Sequence, residues 1–186
     1  MEFYQAGSII SLLSPCTTGD FEMNPSETDP MQGQNAPVFC FPGADSQEVC
    51  LDSFRGSWVV LYFYPKDNTP ACTKEARDFS SAAGDFRELG AVILGVSPDP
   101  VKSHENFIKK QDLAITLLSD PEHGVLLMYD VWRKKKMYGR EYSGVERSTF
   151  LIRPGGEIAA VWRRVKVNDH ALEVKKKLEE LKEKFE

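Results

Sequence analysis

Four cysteines and three histidines are the residues of this chain whose types could carry nucleophilic or metal chemistry: Cys16, Cys40, Cys50, Cys72, His104, His123 and His170. No CxxC or HxxxH spacing links them, so neither a zinc site nor a dithiol redox motif is expected, and no cofactor is called for. One cysteine has instructive neighbours. Cys72 closes the segment Pro65–Cys72, PKDNTPAC, between a run of β-branched and aromatic residues, Trp58 to Tyr64, and a helix-like stretch. A cysteine at the first turn of a helix, just past the carboxyl end of a buried strand, sits where open α/β sheets place their ligand sites. Unpaired N–H groups and the helix dipole favour an anion there, and so a thiolate over a thiol.

The magnitude of that effect falls short. A free thiol with pKa ~8.5 is only a few per cent ionised at neutral pH, and making it mostly thiolate takes about 3 kcal/mol. A helix terminus supplies at most ~2 kcal/mol. Thr69, three residues before Cys72, offers a hydroxyl from the same loop. A cation must come from elsewhere, and no basic residue nearby is aimed inward by the local pattern.

The elements that position Cys72 alternate. Val38 to Phe41 and Val49 to Leu51 flank a Pro-Gly turn and read as a hairpin, with Cys40 and Cys50 on its outer face. Trp58 to Tyr64 is a central strand, Cys72 to Leu89 a helix stopped by Gly90, and Ala91 to Val96 a second buried strand. Val101 to Lys110 reads as a helix, Ile115 to Leu118 as a strand, and Pro121 to Tyr129 as a helix with proline in its first turn. Ser148 to Ile152 and Ile158 to Trp162 form a second hairpin, and Ala171, Val174, Leu178, Leu181 and Phe185 line one face of a last helix. The pattern predicts an α/β, thioredoxin-like fold: a central mixed β-sheet flanked by helices, with an N-terminal β-hairpin.

The 186 residues suffice for one domain with a substantial core. Residues 1–35 read as an acidic, flexible extension and 36–186 as the folded domain. Residues 1–54 hold no Lys or Arg and carry a charge of −8, against +3 for the remainder and −5 overall. That balance gives no footprint for nucleic acid or an anionic membrane surface. The basic stretch of a secretory or transit signal is missing, and no apolar run has the ~18 residues of a membrane span. Pro15 before Cys16 argues against a lipoprotein cleavage site, so the expected compartment is the reducing cytoplasm. His104, His123 and His170 read as surface or capping residues, Arg133 to Lys136 as a solvated turn with a docking patch for a thiol donor as the sharper alternative, and Trp132 and Tyr138 as packing near the site.

PKDNTPAC resembles the Pro-x-x-x-Thr-x-x-Cys signature of peroxiredoxins, and YFYPKDNTPACTKEA is similar to the bacterioferritin comigratory protein, or peroxiredoxin Q, branch. APVFCFPGADSQEVCLDSFRG, VSPDPVKSHENF, LLSDPEHGV and KKMYGREYSGVERSTFLIRPGGEIAAVWRRVKVNDH resemble the same branch in order, covering roughly residues 36–184. The resemblance implies a thiol-dependent peroxidase acting on hydrogen peroxide and organic hydroperoxides. Cys72 would be the peroxidatic cysteine, Thr69 a hydrogen-bonding partner of thiolate and peroxide, Pro65 a shield against water, and Arg147 of VERSTF the catalytic arginine. Arg147 is thus the remote cation that the local argument demands.

One departure stands out. Many members of the branch carry a resolving cysteine five residues after the peroxidatic one, where this chain has Arg77, and no cysteine follows Cys72. A one-Cys enzyme resolved by an external thiol such as thioredoxin, glutaredoxin or a small thiol is therefore expected. Internal resolution by Cys50, Cys40 or Cys16 is the alternative. Failing that role, Cys40 and Cys50 read as inert buried filler and Cys16 as an exposed thiol. The resemblance leans toward a monomer. A thioredoxin-fold binding or holdase protein without turnover is the competing class, disfavoured by the intact Thr69, Cys72 and Arg147 set.

Overall fold

The computed structural model describes residues 28–137 and 140–184. Cys16 and Tyr138 lie outside the described residues, as does most of the expected extension. Trp58–Phe63 is the third strand, β3, after the short hairpin strands Cys40–Pro42 (β1) and Glu48–Cys50 (β2). Every residue of β3 is buried, as its unbroken β-branched and aromatic run requires of a strand covered on both faces. It lies at the centre of a five-stranded sheet with β4 (Ala91–Ser97), β5 (Thr116–Ser119), β8 (Ser148–Ile152) and β9 (Ile158–Trp162), in the order β5-β4-β3-β8-β9. β3, β4 and β5 run parallel, while β8 runs antiparallel to β3 and β9 antiparallel to β8. A separate ribbon pairs β6 (Trp132–Met137) with β7 (Arg140–Val145).

Because side chains alternate along a strand, the sheet builds two cores. Trp58, Val60 and Tyr62 face α1 (Pro70–Ser81), α2 (Ala83–Glu88) and α5 (His170–Glu183), with Phe107 of α3 (Val101–Gln111) joining that cluster. Val59, Leu61 and Phe63 face α4 (Gly124–Met128), the β1–β2 hairpin through Phe39, and the base of the β6–β7 ribbon through Val145. The mixed sheet, its flanking helices and the N-terminal hairpin are those expected from the sequence. Among the described residues no helix is long and apolar enough to cross a membrane.

Several elements depart from the sequence reading. The helix expected from Cys72 to Leu89 starts earlier, at Pro70, and breaks at Ala82 into α1 and α2. Ala82 leaves helical geometry there, with ψ of −1°, two residues before Gly84, whose conformational freedom disfavours a helix interior. The helix expected from Pro121 shortens to α4, because the Asp120 carboxylate accepts from the N–H groups of Gly124 (2.7 Å) and Leu126 (2.9 Å) and starts the helix there. Arg133 to Lys136 are strand residues of β6, held by pairing with β7, rather than a turn. His104 and His170 are buried, not superficial, since each finds a hydrogen-bonding partner inside; His123 caps α4 and stacks on Trp132 at 3.8 Å.

Residues at and just before the expected domain start are joined to the β8–β9 hairpin. Gly33 N–H donates to the Ile158 carbonyl and Ala36 N–H to Gly156. Arg163 Nε reaches Asp29 at 2.8 Å while its Nη1 holds the Tyr129 carbonyl at 3.0 Å.

Candidate active site

β3 ends at Phe63, and residues 64–69 turn the chain into α1 at the carboxyl edge of the parallel strands. Thr69 is the N-cap residue in extended conformation and Pro70 takes the first helical position, where its missing N–H costs nothing. Cys72 therefore sits in the first turn, where the N–H groups of Ala71 and Cys72 have no carbonyl one turn earlier to bond. Its side chain belongs to the core and is 1% exposed.

Arg147 reaches it from the far end of the chain. Ser148, the first residue of β8, pairs with Phe63, the last residue of β3, so the residue before β8 must lie beside the start of α1. Arg147 Nη2 donates to Cys72 Sγ at 3.2 Å, and Nη1 donates to Glu75. Burial disfavours the Arg147 charge, but Glu75 and Cys72 outweigh it and raise its pKa. One guanidinium thus spans the sulfur and a carboxylate one turn further along α1.

Glu75 is the site residue that sequence reasoning missed. It is 1% exposed, and its Oε1 has no hydrogen-bond partner among the described residues, as has the Tyr62 hydroxyl. Burial raises the Glu75 pKa to about 7 against the opposing charge of Arg147. The available signal was its phase: Cys72, Glu75, Ala76 and Phe79 form the buried stripe of α1, and an acid on that stripe demands a partner.

The remaining expected residues are placed differently. The Thr69 hydroxyl donates to the Lys66 carbonyl at 3.1 Å rather than to the sulfur. Pro65 is exposed at the rim of the turn. Cys40 and Cys50 pair directly across the hairpin and form a disulfide with S–S 2.01 Å, which replaces the reading of both as inert buried filler. Cys40 is exposed and Cys50 half-buried, because the alternating Phe39 and Leu51 take the inward positions. Glu48 lies close to this pair, but both sulfurs are consumed by the disulfide, leaving no thiolate to ligate a metal. The hairpin packs on the opposite face of the sheet from Cys72.

A buried reduced cysteine at a helix start, held by an arginine, is suited to attack on a small electrophile with developing negative charge. Comparison with known proteins agrees. Residues 32–161 match the AhpC/TSA family model. Peroxiredoxin Bcp of Bacillus subtilis is 47% identical over 152 residues, covering 82% of this chain and 97% of the relative. The Xanthomonas campestris bacterioferritin comigratory protein, known for alkyl peroxide reduction activity, superposes with a TM-score of 0.74 at 43% identity, covering 76% of this chain and 90% of that one. A cysteine-to-serine variant of Xylella fastidiosa PrxQ gives a TM-score of 0.77 at 39% identity, over 83% and 97% of the two chains.

Proposed function

We propose, for a chain that belongs to the AhpC/TSA family and to its bacterioferritin comigratory protein, or peroxiredoxin Q, branch, that Cys72 is the sulfur oxidised by peroxide and Arg147 the group that stabilises the charge transferred. The protein is a thiol-dependent peroxidase, an oxidoreductase. The observation carrying the assignment of roles is the Arg147 Nη2 to Cys72 Sγ contact of 3.2 Å at a helix N-terminus.

The Cys72 thiolate attacks the terminal oxygen of a hydroperoxide. A sulfur–oxygen bond forms, the O–O bond breaks, and its electron pair leaves with the alkoxide or hydroxide. Arg147 lies where that negative charge grows, and a proton from solvent completes the alcohol or water. Cys72 is left as a sulfenic acid, two electrons oxidised. Thr69, whose hydroxyl hydrogen is directed to Lys66, keeps its oxygen lone pairs as acceptors at the mouth of the site for the peroxide O–H. Pro65 flanks the same mouth.

Two routes return Cys72 to the thiolate. In the first, an external thiol (thioredoxin, glutaredoxin or a small thiol) displaces water from the sulfenic acid, and a second thiol releases Cys72 from the mixed disulfide. The second is favoured by the Cys40–Cys50 disulfide, an oxidisable pair carried by the chain itself. One hairpin thiol condenses with the sulfenic acid, losing water, and the other then displaces Cys72, so the oxidising equivalent ends as Cys40–Cys50. The sheet stands between these sites within one molecule, so this route brings the hairpin of a second molecule to Cys72.

Peptide mapping of the reduced protein after one equivalent of hydrogen peroxide, with dimedone present, tests the reading. A dimedone adduct on Cys72 supports the external route, while a new Cys40–Cys50 disulfide with Cys72 reduced supports the hairpin route. Peroxide consumption by Cys72→Ser at the wild-type rate overturns both.

A further inference from the structure

The turn that carries Pro65 and Thr69 is anchored from beneath by a side chain 37 residues away. Asp67, in the middle of the turn, points inward and is 5% exposed. Its Oδ1 accepts from the Tyr64 hydroxyl at 2.8 Å and its Oδ2 from the Ser103 hydroxyl at 2.7 Å. His104, fully buried on α3, places Nδ1 2.9 Å from the same Oδ2 and Nε2 3.2 Å from the Leu118 carbonyl of β5. The turn's backbone is tied as well: Asp67 N–H donates to Asp99 Oδ2 at 2.8 Å, and that oxygen also accepts from Ser97 at 2.8 Å.

These partners converge on one carboxylate. Asp67 already accepts two hydroxyl protons, and burial, which pushes its carboxyl up, is outweighed by the hydrogen bond and charge of His104 with help from Ser103 and Tyr64, which together lower it. The carboxylate is an acceptor, so Nδ1 donates to it, and the Tyr64 hydroxyl 3.3 Å from the same Nδ1 completes the cluster.

We propose that His104 is a positioning residue for the reaction at Cys72, a buried imidazole that clamps Asp67 through Nδ1 and so fixes the turn presenting Pro65 and Thr69 beside the sulfur. The inference rests on the reading of Cys72 as the reacting sulfur. His104 touches neither Cys72 nor its arginine; it acts through the shape of the turn. Asn68, next to Asp67, has φ of +58°, a left-handed conformation that the turn must be held in. Without the clamp a buried carboxylate loses a hydrogen-bond donor, and the inexpensive remedy is for the turn to swing Asp67 into water. Thr69 moves with it, while Cys72, already within α1, stays in contact with Arg147.

The experiment therefore separates two properties of Cys72 in the full-length protein. Alkylation by iodoacetamide, read on the Cys72 peptide, reports the reactive thiolate; oxidation by hydrogen peroxide reports the thiolate together with an aligned turn. In His104→Phe, which removes the donor, and in Asp67→Asn, peroxide oxidation is expected to slow tenfold or more while alkylation stays within twofold of wild type. Equal loss of both rates, or loss of neither, overturns the clamp. Nitrogen-15 NMR of the assigned His104 ring in the wild-type chain at pH 8 supplies a second test that needs no variant. A hydrogen on Nδ1 is the expected result, and a bare Nδ1 overturns it. Failure of the Cys72 reading shows itself separately, as peroxide consumption by Cys72→Ser.

Discussion

Arg147 and Cys72 are 75 residues apart in the chain and 3.2 Å apart in the fold, with the guanidinium donating to the sulfur. The same guanidinium neutralises Glu75, so the cation that favours the thiolate also offsets a carboxylate 1% exposed one helical turn away. Neither contact is optional for the other: the arginine is held over the sulfur by the acid beneath it.

Replacing Arg147 should accordingly damage two things at once. Arg147→Ala removes the donor at the developing charge, and peroxide oxidation of Cys72 should slow by roughly 100-fold or more. It also strands Glu75, and stability near pH 8 should fall by about 3 kcal/mol. Arg147→Ala/Glu75→Gln should recover most of the stability and none of the rate. Recovery of the rate would show that the arginine acts only through packing. Stopped-flow oxidation and urea unfolding read the two effects separately.

Glu75 and His170 bend the pH dependence of stability in opposite directions. Burial raises the Glu75 pKa from 4.5 to about 7, so between these values the folded protein binds the extra proton and stability falls as pH rises. Burial lowers the His170 pKa from 6.5 to about 4, so in that window the unfolded chain binds the extra proton and stability rises with pH. Each effect amounts to about 3 kcal/mol when fully developed. They nearly cancel between pH 4.5 and 6.5 in the wild type. In Glu75→Gln the rise due to His170 should emerge alone, and the variant's advantage over wild type should grow from nothing near pH 4 to about 3 kcal/mol at pH 8. A pH-independent difference in urea unfolding would refute the assignment.

The Cys40–Cys50 disulfide closes a loop of sequence separation 10. Chain entropy alone suggests a stabilisation of about 2–3 kcal/mol. Dithiothreitol should lower the unfolding free energy of the wild type by that order and leave Cys40→Ser/Cys50→Ser unaffected. If the hairpin route operates, the double variant should also lose turnover with a protein dithiol donor while retaining the first oxidation of Cys72.

Arg163 fastens the chain around residue 29 to the body of the fold through Asp29, the Tyr129 carbonyl and the face of Phe150, 4.8 Å away. The ion pair is nearly buried, at 11% and 8% side-chain exposure. Arg163→Ala should cost about 3 kcal/mol, since it leaves the nearly buried Asp29 carboxylate with the Met31 N–H but no cation, and takes a donor from the Tyr129 carbonyl. Asp29→Asn/Arg163→Met should cost less. Thermal unfolding of the three proteins tests the ranking.

What the chain determined by itself is local and periodic. The unbroken apolar run at Trp58 to Phe63 specifies a strand covered on both sides, and the spacing of Ala76, Phe79 and Phe86 specifies a helix after it and the face it buries, although its start at Pro70 and its break at Ala82 were not legible there. These features depend on residues a few positions apart, so propensity and phase report them. The need for a cation at Cys72 followed from energetics, and Arg147 came from resemblance, because nothing in its own neighbourhood marks it. Tertiary structure decided the rest. Only the antiparallel placement of β8 beside β3 puts Arg147 at the start of α1. Asp67, His104 and His170 look like ordinary surface residues in sequence, and Glu75 shows only its phase on the buried stripe, since a polar side chain is buried only when a distant segment brings its partner. The pairing of Cys40 with Cys50 likewise waited on the hairpin register: alternation put both sulfurs on the outer face, and only the register set them opposite each other.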